Sequence, residues 1–142
     1  MIKNRFWFFV VIVCLFVSIA ANWYQYEKNV SDQQKVDHAF ASELGRVASA
    51  LDAKTEDNRV VYLLIVEHLS KASALSSHNS DNKLASSISS HLSEMINAFR
   101  NSSQNPNGIR DQDELKKLFV QLSEEPINME IYSKIFDILY KQ

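Results

Sequence analysis

Hydrophobic residues follow two different patterns along the chain. Near the N-terminus they form one unbroken run, from Phe6 to Ala21, that contains no charged side chain. From residue 31 onward they recur every three or four positions, the spacing that places side chains on one face of an α-helix. The first pattern predicts a membrane-inserted helix, and the second predicts amphipathic helices packed around a common core.

The periodic part of the chain predicts an all-α domain of four or five antiparallel helices. Only two glycines and two prolines occur in the sequence, which favours helices over a β-fold rich in turns. The predicted core positions are Val36, Phe40, Leu44, Val47 and Leu51, then Leu84, Ile88, Leu92, Met95, Ile96 and Phe99, then Leu115, Leu118, Phe119 and Leu122, and finally Ile131, Ile135, Phe136, Ile138 and Leu139.

The segment from Arg59 to Leu75 is the most apolar part of this domain. Its apolar side chains fall on more than one face of a helix, so we expect it to be the central helix. Leu64 and Ile65 are expected in the best-packed region. The β-branched residues between Val60 and Val66 leave a strand as the alternative, but the continuation of the pattern to Leu75 favours a helix.

Four polar segments predict the breaks between helices. They are Asp52–Asn58, Ser76–Asn82, Arg100–Arg110 and Glu124–Pro126, and the third contains the turn sequence Asn105-Pro106-Asn107-Gly108. The capping pattern Ser31-Asp32-Gln33-Gln34 marks a helix start, unless the helix continues directly from the membrane segment.

Charges and aromatic residues around the apolar run predict its orientation. Lys3 and Arg5 precede it, which indicates a cytoplasmic N-terminus. Trp23, Tyr24 and Tyr26 follow it, where an interfacial aromatic belt would lie. We therefore predict a cytoplasmic N-terminus (1–5), a transmembrane signal anchor in contact with lipid (6–23), a juxtamembrane linker (24–30) and an extracytoplasmic helical domain (31–142).

A cleaved signal peptide is the main alternative to an anchor. Ser18-Ile19-Ala20 has the small residues of a cleavage site, so cleavage near Ala20 would release a secreted helical protein. The length of the apolar run and its Phe, Val and Ile content favour the anchor.

Composition and motifs indicate a non-catalytic protein. The formal net charge of −2 is unfavourable for nucleic-acid binding, and beyond Lys3 and Arg5 the chain is more acidic still. No glycine-rich phosphate loop or nucleophile elbow is present. His91 and Glu94 lie one helical turn apart, but helical metal sites combine several such ligands. We predict no metal and no cofactor.

The aromatic residues of the last predicted helix suggest a binding face. Tyr132, Phe136 and Tyr140 are four residues apart and share one side of that helix. They either close the core or receive a partner, and we predict partner binding at these three residues. The expected function is that of a regulator, assembly factor or accessory subunit that binds a protein partner at the extracytoplasmic face of the membrane. A sensor module for a small ligand is the alternative within the membrane-anchored class.

Overall fold

The computed structural model describes residues 2–53, 58–78, 83–102, 109 and 111–140. These residues form five helices and no strand: α1 (Ile2–Leu51), α2 (Asn58–Ser76), α3 (Ala85–Ser102), α4 (Gln112–Glu124) and α5 (Met129–Tyr140). The all-α prediction is therefore confirmed. The chain divides into two units, Met1–Gln34 and Lys35–Gln142, and α1 contributes residues to both.

From residue 2 onward, the first unit is one helical segment that contains the apolar run. Within Trp7–Leu51, a window of 18 residues has a mean hydropathy of 2.0, and none of that window is buried. The helix is therefore long and apolar enough to cross a membrane, although a signal sequence near an N-terminus has the same properties. Residues 24–30, predicted as a linker, are helical, and no helix start occurs at Ser31.

The second unit is a small helical bundle with a continuous apolar core. The predicted stripes supply most of this core, because each helix turns one apolar face inward. Its largest fully buried side chains are Tyr62, Tyr132, Phe40, Phe99, Phe119, Leu44, Ile65, Leu69, Ile88, Leu92, Met95 and Leu115.

Contacts at both ends of α2 and α3 show that these two helices pack antiparallel. The hydroxyl groups of Ser73 and Ser89 are 3.4 Å apart, while the rings of Tyr62 and Phe99, at the opposite ends of α2 and α3, have centroids 6.3 Å apart. The two helices therefore run in opposite directions, joined by the connection between Ser76 and Ala85.

The bundle portion of α1 pairs with α4 in the same antiparallel way. Gly45 lies so close to Ser123 that a Cβ on Gly45 would be 3.5 Å from the Ser123 Cβ. Where α1 ends and α4 begins, Lys116 and Asp52 form an ion pair at 2.6 Å. Together these two contacts show that α1 and α4 lie side by side in opposite directions.

Helix α3 contacts three other helices of the bundle. Phe99 contacts Tyr62 of α2 and Phe119 of α4, and His91 contacts Tyr132 of α5. The prediction for α2 was right for Ile65, which is fully buried, and wrong for Leu64, which is 38% exposed. An apolar composition on several faces does not show which face the bundle covers.

The start of α4 has an unusual backbone conformation. Asp111 has φ 57° and ψ 37°, in the left-handed region that aspartate tolerates better than most residues. Its carbonyl oxygen accepts hydrogen bonds from the N–H groups of Glu114 and Leu115. The turn predicted at Asn105–Gly108 lies outside the described residues.

The turn between α4 and α5 is held by hydrogen bonds. The Asn128 side chain accepts the N–H of Glu130, so Asn128 caps α5. The Tyr132 hydroxyl donates to the Pro126 carbonyl oxygen at 3.0 Å. The predicted interruption at Glu124–Pro126 is confirmed.

Candidate binding surfaces

The three aromatic residues predicted to bind a partner lie at different depths. Tyr132 is fully buried, Phe136 is half-buried, and Tyr140 is 63% exposed. Burial raises the pKa of the Tyr132 phenol well above its usual value, so the group is neutral at physiological pH. Tyr132 therefore belongs to the core, and only Phe136 and Tyr140 present surface to a partner. Their role in binding stays a prediction.

His91 lies within a stack of aromatic rings between α3 and α5. Its ring centroid is 5.7 Å from that of Tyr132 and 5.1 Å from that of Phe136, and Phe136 in turn stacks on Tyr140 at 5.8 Å. The His91 Nδ1 atom is buried without a hydrogen-bond partner. The imidazole therefore packs as part of an aromatic layer that runs from the core to the surface.

Metal binding at His91 and Glu94 gains no support from their surroundings. The neighbours of His91 in α5 are aromatic rings, and Glu94 is exposed. Within the described ranges, no three His, Cys, Asp or Glu side chains are grouped closely enough to hold a metal ion.

A hydrogen-bonding contact between α1 and α2 was missed by sequence reasoning. The Nδ1 atom of His68 lies 2.7 Å from a carboxylate oxygen of Glu43, and only 17% and 12% of these side chains are exposed. The other Glu43 oxygen accepts a hydrogen bond from Arg46, one turn along α1. The sequence carried no signal for this pair, because the two residues are 25 positions apart and each falls among ordinary charged residues.

A polar depression lies at the turn between α4 and α5. It is lined by Gln121, Glu124, Glu125, Asn128, Glu130, Ile131 and Lys134. Lys134 pairs with Glu130 at 2.8 Å and holds the pKa of that exposed carboxyl below its usual value. This lining is typical of a solvated helix end, because its charged groups already have partners or face water.

The outer face of α2 carries a cluster of exposed apolar side chains. Val60, Leu63 and Leu64 are 46%, 66% and 38% exposed, and they occupy adjacent positions on one face of the helix. We call these three residues the α2 patch. One turn further, Glu67 forms an ion pair of 2.6 Å with Lys71. Large apolar residues scattered singly on a surface are ordinary, whereas a contiguous group on one helix suits contact with another surface.

Comparison of the chain with known protein families, curated proteins and solved structures finds no match. The chemistry of these surfaces is therefore the basis for its proposed function.

Sequence reasoning missed the α2 patch because it assigned all the apolar residues of this segment to the core. The spacing of Val60, Leu63 and Leu64, off the stripe of Val61, Ile65 and Leu69, was the signal that distinguished the two faces.

Proposed function

We propose that this protein is a non-catalytic, membrane-anchored binding module that holds a protein partner at the extracytoplasmic face of the membrane. The observation that carries the proposal is the α2 patch, which leaves three large apolar side chains exposed to water on one face of a helix. Covering such a patch removes apolar area from water, which lowers the free energy by about 25 cal/mol for each square ångström of apolar area buried.

The membrane anchor supports this function by raising the local concentration of membrane-bound partners. The charge-free stretch ends at Glu27, and Trp23, just before it, donates a hydrogen bond from its indole N–H to the Glu27 carboxylate at 3.0 Å. An amphipathic Trp next to the first charge suits the boundary between lipid and water. Lys3 and Arg5 at the other end favour a cytoplasmic N-terminus, which would place the bundle outside the cytoplasm.

The test is chemical cross-linking of the full-length chain in its native membrane, followed by purification in mild detergent. We expect the wild-type chain to run on a native gel as a complex larger than the monomer, at a constant ratio of components. A variant with Val60→Ser and Leu63→Ser is expected to run as the monomer. Because both side chains are exposed, the substitutions should leave the fold intact, which circular dichroism can verify.

Ala74→Ser is the matched control. Ala74 is exposed on the same helix but lies about three turns beyond Leu63. The control should keep the complex. A wild-type chain that is entirely monomeric in several mild detergents and in native membranes would remove the basis for the proposed function.

A further inference from the structure

The α2 patch has opposite charges on its two sides along the helix. Arg59 precedes it and Glu67 follows it, while Val60, Leu63 and Leu64 fill the space between them. Both charged residues are exposed. The charges along the helix therefore run from positive, through the apolar patch, to negative. A second copy of the helix laid in the opposite direction would place its negative residue opposite the positive residue of the first.

We infer that the partner at the α2 patch is a second copy of this chain, bound through antiparallel pairing of the two α2 helices about a two-fold axis near Leu63. This inference rests on the proposed function and specifies its partner. In a two-fold interface the same residues face each other in reverse order. Leu63 then meets Leu63 and Leu64 of the other copy, and each Arg59 meets the Glu67 of the other copy.

Charge complementarity favours this arrangement over a parallel one. Parallel pairing would place Arg59 against Arg59 and Glu67 against Glu67, and like charges in a contact are destabilising. The hydrogen bond from Lys71 lowers the pKa of the exposed Glu67 carboxyl, so the negative charge persists at neutral pH.

The same charge disfavours insertion of this face into a lipid surface. A carboxylate in line with the apolar residues would have to lose water as this face entered the lipid, which is costly for a charged group. In the antiparallel pair, the Glu67 carboxylate instead approaches the Arg59 guanidinium group of the other copy.

The small size of the patch makes the pairing dependent on the membrane. A stable interface in solution buries roughly 800 Å² on each partner, far more than three partly exposed side chains provide. Confinement of both copies to one membrane raises their effective concentration, so a weak contact suffices there. The full chain is therefore expected to pair in its membrane and to dissociate on dilution in detergent.

Cysteine cross-linking of the full chain in membranes tests the geometry. The native Cys14 is first replaced by serine, and Leu63→Cys or Ala74→Cys is then introduced. With helix axes 8–10 Å apart, facing Cα atoms near the two-fold axis lie about 5 Å apart, within the range of a disulfide. The two copies of residue 74 would be roughly 30 Å apart along the helix axes.

Oxidation is expected to convert the Leu63→Cys chain into a disulfide-linked dimer and to leave the Ala74→Cys chain monomeric. Equal cross-linking at both positions would indicate parallel pairing or random collision and would overturn the inference. A Leu63→Cys chain that forms no dimer would also overturn it.

A charge exchange provides an independent test. Arg59→Glu alone and Glu67→Arg alone should each reduce co-precipitation of two differently tagged copies from membranes, and the double variant should restore it. Failure of the double variant to recover pairing would reject the Arg59–Glu67 contact.

A photo-reactive amino acid at position 63 separates failure of this inference from failure of the proposed function. Adducts with a different protein, in the absence of self-adducts, would leave the binding function and reject the second copy as partner. Adducts with lipid alone, or no adduct at all, would reject both.

Discussion

The hydroxyl oxygen of Tyr62 accepts a hydrogen bond from the backbone N–H of Ile109 at 2.7 Å, in the interior of the bundle. Tyr62 is 1% exposed and Ile109 is 5% exposed. The two residues are 47 positions apart, so this bond attaches the segment before α4 to the second helix. It also satisfies a backbone donor that the core would otherwise leave unpaired.

Removing this acceptor should destabilise the bundle. Tyr62→Phe keeps the ring and leaves the Ile109 N–H without a partner, at a cost of about 1–3 kcal/mol in the free energy of unfolding. Urea unfolding of the chain followed by circular dichroism measures it. Tyr140→Phe removes an exposed hydroxyl and serves as the control, with an expected change within about 0.5 kcal/mol. Equal effects of the two variants would contradict the importance of the Tyr62 bond.

The neighbouring residues Leu64 and Ile65 should differ sharply in their contribution to stability. Ile65→Ala deletes a fully buried side chain and is expected to cost about 2–5 kcal/mol. Leu64→Ala removes a side chain that is 38% exposed and should cost clearly less. Thermal unfolding of both variants decides the comparison. A larger loss for Leu64→Ala would show that α2 presents its other face to the core.

Tyr132 and Tyr140 provide a similar comparison in α5. Tyr132→Ser removes a buried ring and the hydrogen bond to Pro126, so the melting temperature should fall strongly. Tyr140→Ser should leave the melting temperature almost unchanged. If the predicted aromatic binding face exists, Tyr140→Ser also weakens retention of the partner. Unchanged retention would leave the α2 patch as the only candidate among the surfaces described above.

Alkaline pH should destabilise the bundle through Tyr132. In the unfolded chain this phenol ionises near pH 10, whereas burial raises its pKa in the folded protein. The folded state then holds a proton that the unfolded state has released, so its stability is complete below pH 10 and falls as the pH rises further. Tyr132→Phe should flatten this decline in urea unfolding between pH 9 and 11. An equally steep decline in the variant would assign it to other groups.

The orientation of the anchor can be tested with a reporter fused after Gln142. Lys3 and Arg5 predict a cytoplasmic N-terminus, so a reporter active only outside the cytoplasm should be active in this fusion. Mass spectrometry of the purified chain should find the N-terminal segment still attached. A mature N-terminus just after Ala20 would instead identify a cleaved signal peptide.

The core could be predicted from sequence where one face of a helix is apolar and the other polar. In α3, Ile88, Leu92 and Phe99 are fully buried as expected, because serines occupy most of the opposite face and leave no ambiguity. The pattern failed in α2, where both faces are apolar and only the neighbouring helices decide which one is covered. Leu64 was misplaced for this reason.

The candidate sites were less predictable than the core because they depend on contacts between distant residues. The spacing of Tyr132 and Tyr140 showed that they share a helix face, but not that the first lies under the turn at Pro126 and the second in water. The Glu43–His68 pair has no local pattern at all, since it forms only when α1 and α2 meet.

The antiparallel contact of Gly45 with Ser123 has a consequence for the order in which the protein is made. A ribosome releases the residues of α1 long before those of α4, so this part of α1 has no α4 partner during most of synthesis. Closing a contact over such a long loop is slow compared with forming the local α2–α3 hairpin. Until α4 emerges, the part of α1 around Gly45 that α4 covers is exposed to chaperones, proteases and other nascent chains, and a chain truncated before α4 would stay in that state.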